Sequence, residues 1–549
     1  MSSTSLPDSN ELWWSEKLPN VPDKAISPIQ DYAQRFRGNP KNVMFYPRKL
    51  LEHIFTENVL LHELQALKEL DGPKRDQLVK DIRGSYIAVF ATLKLIKELE
   101  MLPALVASHI SDQELPLKPR DPTSNTAFIC WSSKELLPDE LQDWIRGSEF
   151  QTQQFKMIIP FFGNQPETFD FSWADILPYS IIYQPGESPV RKIEIHPLCH
   201  DFRNSGLEDA DKPLFYALKK VTEGNSVSFN REVEMLQRFN KAKHPHVVKL
   251  LASFITEEDK FAIFPWAPHD LRMYWQNVRP KPDAGGAKLV QWISHQAQML
   301  AEAIRNIHKL PQDSEDEEQE YVRHGDLKPE NILWYESGDF GKLVIADLGL
   351  SKAHRFESRS YTIQKRVSVT PRYRPPEVVY KGGRMGRVFD IWALGCIFLE
   401  MISWLHGGYE KLVEMEKSIT TQSIASVHTD EYYEWVYVKD ADYYTIRVKE
   451  AWIHGLRGNC SRFAYDFLNI VEDHMLVVER SERISAEDLV IKMKDLNRKC
   501  KEEEDYCVRK KMHESHYAPK PKLEERRFAT GLNLNGKEGV PVVTSHSFR

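Results

Sequence analysis

RHGDLKPENIL at residues 323–333, followed by ADLGLSK at 346–352, decides how the rest of the chain is read. Asp326 and Asn331 share one tight loop, and Asp347 ends the β-type run LVIA at 343–346. Three oxygen-bearing side chains can therefore converge at strand ends, a donor set that suits a hard cation such as Mg²⁺. Upstream, the strand-like runs LFYALKKV (214–221) and FAIFPW (261–266) flank SFNREVEMLQRF (228–239), which places Val233, Leu236 and Phe239 on one helical face. VQWISHQAQMLAEAIRNIH then repeats apolar residues at 290, 293, 297, 300, 304 and 307, which predicts a long core helix. An acidic run, DSEDEEQE (313–320), reads as a solvated loop before the next strand. β-type runs with one helix, giving way to a mostly helical half from about residue 290, predict an α+β fold.

HxDxKxxN and DLG, in this order and with the elements around them, resemble the catalytic and metal-binding loops of eukaryotic protein kinases of the Ser/Thr type. The resemblance implies a kinase domain over 178–497 with a small β-rich lobe, a larger helical lobe and ATP between them. It implies that Asp326 is the base for the substrate hydroxyl, that Lys328 reaches the transferred phosphate, and that Asn331 and Asp347 hold Mg²⁺. Leu348 stands where a DFG motif has Phe. Lys219 in YALK matches the lysine on the α- and β-phosphates, and Glu232 the carboxylate that orients it; two surface charges are the plainer reading of that pair. KFAIFPWAPHDL (260–271) would carry the adenine hinge, with Phe264 as gatekeeper, the Pro265 carbonyl accepting from adenine and the Ala267 N–H donating. Pro lacks only the N–H, so position 265 tolerates it. Val190, Ala217 and Leu333 would sandwich the ring, although ordinary core explains them too.

TPRYRPPE (370–377) resembles the end of an activation segment, with Glu377 paired to Arg483 and Thr370 contacting the base. Asp390 opens IWALGCIFLEMI, either anchoring the catalytic loop, capping a helix, or both. Two departures stand out. Tyr183, Pro185 and Ser188 occupy the places of the family's loop glycines, leaving Gly186 nearby, so phosphates should be cradled less closely. Gly325 replaces the Arg of HRD, which makes the chain a non-RD type without the loop's phosphate sensor. The kinase motifs together with the N-terminal extension look like a group of filamentous-fungal protein kinases.

The remaining chain fits around this domain. Its 549 residues, 41% hydrophobic and 28% charged, suffice for several cores, and a net charge of −7 argues against a chain built to cover nucleic acid or an anionic membrane. Residues 1–27 read as a disordered terminus, 28–177 as a mainly helical extension with a protein partner of its own, and 498–549 as a charged, disordered tail. Within the extension, Leu50, Ile54, Val59, Leu60, Leu64 and Leu67 recur at helical intervals, while 113–177 reads as irregular packing or a long connection into the next domain. No secretory signal opens the sequence, and neither 87–110 nor 391–402 reads as a membrane span. Six scattered cysteines point to a reducing, intracellular setting, cytoplasmic or nuclear. HPLCH (196–200) and the set Cys500, Cys507, His513 and His516 match no common zinc spacing. The expected activity is transfer of the γ-phosphate of ATP to Ser or Thr of a protein substrate. Its rivals are a pseudokinase serving as a binding or scaffolding module, which the altered glycine loop favours, and a scaffold whose main part is the extension.

Overall fold

The computed structural model describes residues 18, 29–34, 43–67, 71–121, 124–163, 166–184, 186, 188–202, 215–221, 226–257, 259–278, 286–309, 322–348, 371–378, 386–419, 421–422, 428–429, 431–438, 443–448, 451–458 and 460–508. The chain divides into two units, residues 1–225 with 250–266 and residues 226–249 with 267–549.

In the first unit the apolar periodicity of the extension becomes α1 (Arg48–Ile54), α2 (Glu57–Glu63), α3 (Gly72–Asp81), α4 (Ile87–Ile96) and α5 (Leu102–Ala107). Leu50, Ile54, Val59, Leu60 and Leu64 are fully buried, but in two helices, because Thr56 stops one and caps the next by accepting from Val59 N at 3.4 Å. Residues 113–177 are more ordered than their composition predicts. They form a hairpin, β1 (Leu117–Asp121) with β2 (Ser124–Cys130), then α6 (Asp139–Gly147), α7 (Phe150–Gln153) and β3 (Thr168–Asp170). Two buried glutamines supply the order that sequence pattern did not show. Gln154 accepts from Leu117 N and donates to Leu117 O, both at 2.8 Å, and Gln142 does the same for Phe128 at 2.6 and 2.8 Å.

A six-stranded sheet completes this unit: β4 (Tyr179–Tyr183), β5 (Val190–Ile195), β6 (Phe215–Lys220), β7 (Ala252–Ile255) and β8 (Lys260–Pro265) join β3 in the order β3-β7-β8-β6-β5-β4. Only the β3–β7 pairing is parallel. The extension therefore contributes a sheet strand. It is also fastened by a small core of Phe45, Ile159, Ile176 and Cys199, and by Phe162 N donating to Cys199 O at 2.9 Å. A boundary at 177 would cut through this packing. On β6, Tyr216 and Leu218 enter the core, so the period of two sends Ala217 and Lys219 to the other face.

The second unit holds α8 (Ser226–Ala242), a three-stranded sheet of β9 (His269–Asp270), β10 (Ile332–Tyr335) and β11 (Lys342–Ile345), and the helices α9 (Leu271–Asn277) and α10 (Gly286–His308). All six periodic apolar residues of α10 are buried. α11 (Val388–Ile419) is far longer than the twelve-residue run in the sequence. By length and composition it could cross a membrane, yet 89% of its apolar window is buried inside protein, and the backbone leaves helical geometry at Gly407 and Gly408. It is a core helix with a break. Short strands β12 (Thr421–Gln422) and β13 (His428–Thr429) pair, as do β14 (Tyr433–Val438) and β15 (Tyr443–Val448). Then follow α12 (Ala451–Arg457), α13 (Arg462–Ile470), α14 (Ala486–Glu502) and α15 (Glu504–Cys507). α14 runs through residue 497 because Leu496, Asn497 and Cys500 are buried on one face, and α15 buries Tyr506. The packed chain thus passes the expected start of the tail.

Candidate active site

The loop 323–331 is built around one buried carboxylate. Asp390, with no exposed surface, accepts from Gly325 N at 2.9 Å on Oδ1 and from His324 N at 2.8 Å on Oδ2; His308 Nε2 donates to the same Oδ2 at 2.8 Å. Burial alone would raise its pKa. The His308 bond and the neighbouring donors outweigh that, and the net shift is downward. α11 begins at Val388, so Asp390 lies inside its first turn and is not the cap residue considered from sequence. Gly325 takes φ +85°, a left-handed conformation that favours glycine, and this turns its N–H onto Asp390. Arg323, only 5% exposed, lies in the field of Asp390, and burial lowers its pKa.

His324 links the loop to the strand that carries Asp347. Its Nδ1 accepts from Asp326 N at 3.3 Å, which leaves the proton on Nε2, and Nε2 donates to Ala346 O at 2.8 Å. Ala346 N donates to Asn331 O at 2.9 Å. The residue before Asp347 is therefore held from both sides by the loop 323–331. Asp347 itself is exposed and takes φ +58°, one of the few left-handed non-glycine residues, while Leu348 is buried at 3%.

Asp326 is 8% exposed, and Lys328 Nζ donates to its Oδ2 at 2.8 Å. Asn331 Nδ2 donates to Asp326 O at 2.7 Å and Oδ2 at 3.2 Å. With its NH₂ group engaged there, Asn331 presents its amide oxygen elsewhere, and the Asp347 carboxylate supplies more oxygen. This hard-oxygen chemistry fits Mg²⁺. Leu333 is on β10, opposite Val344, and Glu232 is on α8, in the same unit.

The first unit carries Val190, Ala217, Lys219 and Pro265, and Ala267 belongs to the second. Lys219 on β6 pairs across the sheet with Val190 on one side and Ala262 on the other; Ala217 pairs with Lys192 and Phe264. Pro265 ends β8 opposite Tyr216, and Trp266 N donates to Phe215 O at 3.1 Å just before Ala267. The β4–β5 hairpin places Tyr183 and Ser188 at the ends of its turn, with Gly186 at φ +52°. Pro185 and Thr370 lie outside the described residues.

Beyond the loop, Arg483 Nη1 and Nη2 meet Glu377 Oε1 and Oε2 at 2.8 and 2.9 Å, and both side chains are at most 1% exposed. Beside them Tyr373 and Tyr432 donate to the buried carboxylate of Glu400 at 3.0 Å each, and burial pushes Glu400 up to about 7. Arg372 bonds Glu416 at 2.6 Å, and Arg272 pairs with that same carboxylate. The sequence pattern did not reveal His308 and His324 as positioning groups. A histidine closing an otherwise apolar helical face is the signal that could have found His308.

Among families of known proteins, the protein kinase domain matches residues 207–493. The chain is 30% identical over 195 residues to cyclin-dependent kinase 8 of Caenorhabditis elegans, covering 34% of this chain and 31% of that protein. It is 29% identical over 220 residues to serine/threonine-protein kinase SSN3 of Coccidioides immitis, covering 38% and 43%. It is 31% identical over 194 residues to cyclin-dependent kinase 8 of Drosophila melanogaster, covering 34% and 40%. The similarity spans less than half the length of each of these curated relatives.

Proposed function

Because this chain belongs to the protein kinase family and has its α+β two-lobed fold, we propose that it transfers the γ-phosphate of Mg·ATP to serine or threonine of a protein substrate. The observation that carries this reading is the clamped loop. Asp326, Lys328 and Asn331 are joined by hydrogen bonds, and Ala346, which leads into Asp347, is bonded to both His324 and Asn331. On this reading Asp326 accepts the proton of the attacking hydroxyl, and Lys328 follows the transferred phosphate. Asn331 and Asp347 hold Mg²⁺, which when bound neutralises charge on the phosphates. Lys219 contacts the α- and β-phosphates and Glu232 orients it. The Pro265 carbonyl and Ala267 N–H receive adenine, with Val190, Ala217 and Leu333 on its faces.

Ser/Thr preference is supported by Lys328 and by the names of the relatives. Gly325 supports a non-RD kinase, and the kinase motifs with the extension support a resemblance to filamentous-fungal kinases. Two relatives are named cyclin-dependent, which makes a cyclin-type protein a partner to test alongside a partner for the N-terminal extension. The six cysteines, all among the described residues, form no disulfide there, which supports an intracellular location, cytoplasmic or nuclear. The test is ³²P transfer from γ-labelled ATP to a generic protein substrate by the wild-type chain and by Asp326→Asn. Equal transfer by both would overturn the assignment. No transfer by either, with ATP still bound, would favour a binding module.

A further inference from the structure

Cys500 and Cys507 take no part in the chemistry above, yet they are brought together at the end of the packed chain. Cys500 is near the end of α14 and Cys507 ends α15. The segment between them turns back, so that Cys507 Sγ donates to the carbonyl oxygen of Cys500 at 3.6 Å. Both are buried, at 0% and 3% exposure. Their surroundings fix this turn. Gln291 on α10 donates to Cys500 O at 2.9 Å, and Tyr506 donates to Asp466 on α13 at 2.7 Å. No group of His, Cys, Asp and Glu able to hold a metal occurs among the described residues, so the pair is not part of such a site there.

We propose that Cys500 and Cys507 form a peroxide-oxidisable dithiol that closes to a disulfide and fastens α15 to α14. The neighbouring Cys500 thiol lowers the pKa of Cys507, whereas burial raises those of Cys130, Cys199 and Cys396. Cys507 is therefore the attacking sulfur of the pair. α15 is four residues long, a short element of the kind that opens locally and admits a small oxidant. The Cys507 thiolate attacks one oxygen of hydrogen peroxide, the O–O bond breaks, and a sulfenic acid and hydroxide result; the hydroxide takes up a proton and leaves as water. Cys500 then loses its proton, its sulfur attacks Cys507 Sγ, the S–O bond breaks, and a second water leaves. Two thiols and one peroxide give one disulfide and two waters, with both electrons passing from sulfur to peroxide. Reduction by a small dithiol reverses the step.

Trypsin provides a direct readout on the full-length protein. It cleaves after Lys499 and Lys501, so the dipeptide Cys500–Lys501 stays attached to 502–509, EEEDYCVR, only through this bond. After hydrogen peroxide treatment and blocking of free thiols, we expect the linked species at two mass units below the sum of the two reduced peptides, and its loss with dithiothreitol. In Cys500→Ser, Cys507 should stop at a sulfenic acid that dimedone traps. Peroxide treatment that leaves both cysteines alkylatable, or that joins either to another cysteine, overturns the proposal. So does a Cys507 sulfenic acid that accumulates in the wild-type chain with Cys500 still free.

Discussion

Arg483→Ala should be among the most destabilising single substitutions in this chain, although neither Arg483 nor Glu377 is assigned any chemistry. Five bonds converge on the guanidinium. Two go to Glu377 at 2.8 and 2.9 Å, one to Val388 O at 3.0 Å, and two to Val477 O at 3.0 and 3.2 Å. The side chains of the ion pair are 0% and 1% exposed. Truncation therefore strands a carboxylate and two carbonyl groups without water nearby. Breaking a buried pair in this way costs about 3–5 kcal/mol, against about 1 or less for a surface pair. For a unit of this size each kcal/mol shifts the melting temperature by about 2–4 °C, so the expected fall is on the order of 6–20 °C.

Calorimetry of the full chain reads the fall directly, and a double substitution separates its cause. Glu377→Leu with Arg483→Met removes both charges and keeps side-chain volume, so it should recover most of the loss if stranded charge dominates. A Tm within 2 °C of wild type for Arg483→Ala would mean that the pair is hydrated in solution, and the structural assignment would fail. A double variant no better than Arg483→Ala would instead assign the loss to the bonds with Val388 and Val477.

Asp347→Asn should leave the melting temperature near wild type, because residue 347 is exposed, while kcat/KM falls by about a hundredfold or more, since a lost metal ligand is worth several kcal/mol; undiminished turnover would refute the metal role. Restoring glycines at 183, 185 and 188 should lower the KM for ATP with little change in kcat, because a closer backbone holds the phosphates equally well in the ground and transition states. Gly325→Arg should cost about 1–2 kcal/mol of stability through its left-handed backbone, read as a lower urea midpoint; an unchanged midpoint would mean that the loop relaxes. Phosphatase-treated protein should retain the kcat/KM of untreated protein if Gly325 has removed the loop's phosphate sensor. A pH test rests on His246, which burial pushes down to about 4 even though it bonds Leu343 O at 2.5 Å. The folded state keeps it neutral while the unfolded chain protonates near its ordinary value, so stability falls as pH drops from about 6.5 to 4, by up to about 3 kcal/mol. In His246→Asn that part of the slope should vanish, whereas Glu400, raised to about 7, contributes the opposite slope in both proteins.

The loop 323–331 was legible because its side chains act over short sequence distances; Lys328 and Asn331 both donate to Asp326, all within six residues. The helices of the extension and α10 were legible for a related reason, since apolar period alone dictates which face is buried. What sequence concealed depended on distant partners. His308 acquires its role from a carboxylate 82 residues away, and the β1–β2 hairpin is held by glutamines 14 and 37 residues beyond the strands they bind. The β14–β15 hairpin is a different case. YEWVYV and YYTIRV are β-branched and aromatic runs separated by KDAD, a readable strand–turn–strand signal that the helical character of the surrounding chain masked.

The loop 323–331 is ordered without an arginine at position 325. A carboxylate as deeply buried as Asp390 is costly unless donors surround it, and here they are His308, His324 N and Gly325 N. The third donor is available because residue 325 adopts φ +85°, so the position that fixes the loop favours glycine for backbone reasons. A cation is still present two residues earlier. Arg323 is buried and lies in the field of Asp390, but burial outweighs that field and lowers its pKa. On the proposed reading, the loop is organised by an internal carboxylate held by His308 and by the N–H groups of His324 and Gly325. A phosphate arriving on the activation segment would then find no unbalanced arginine at position 325 to pull into place, and the order of the loop depends on Asp390 instead.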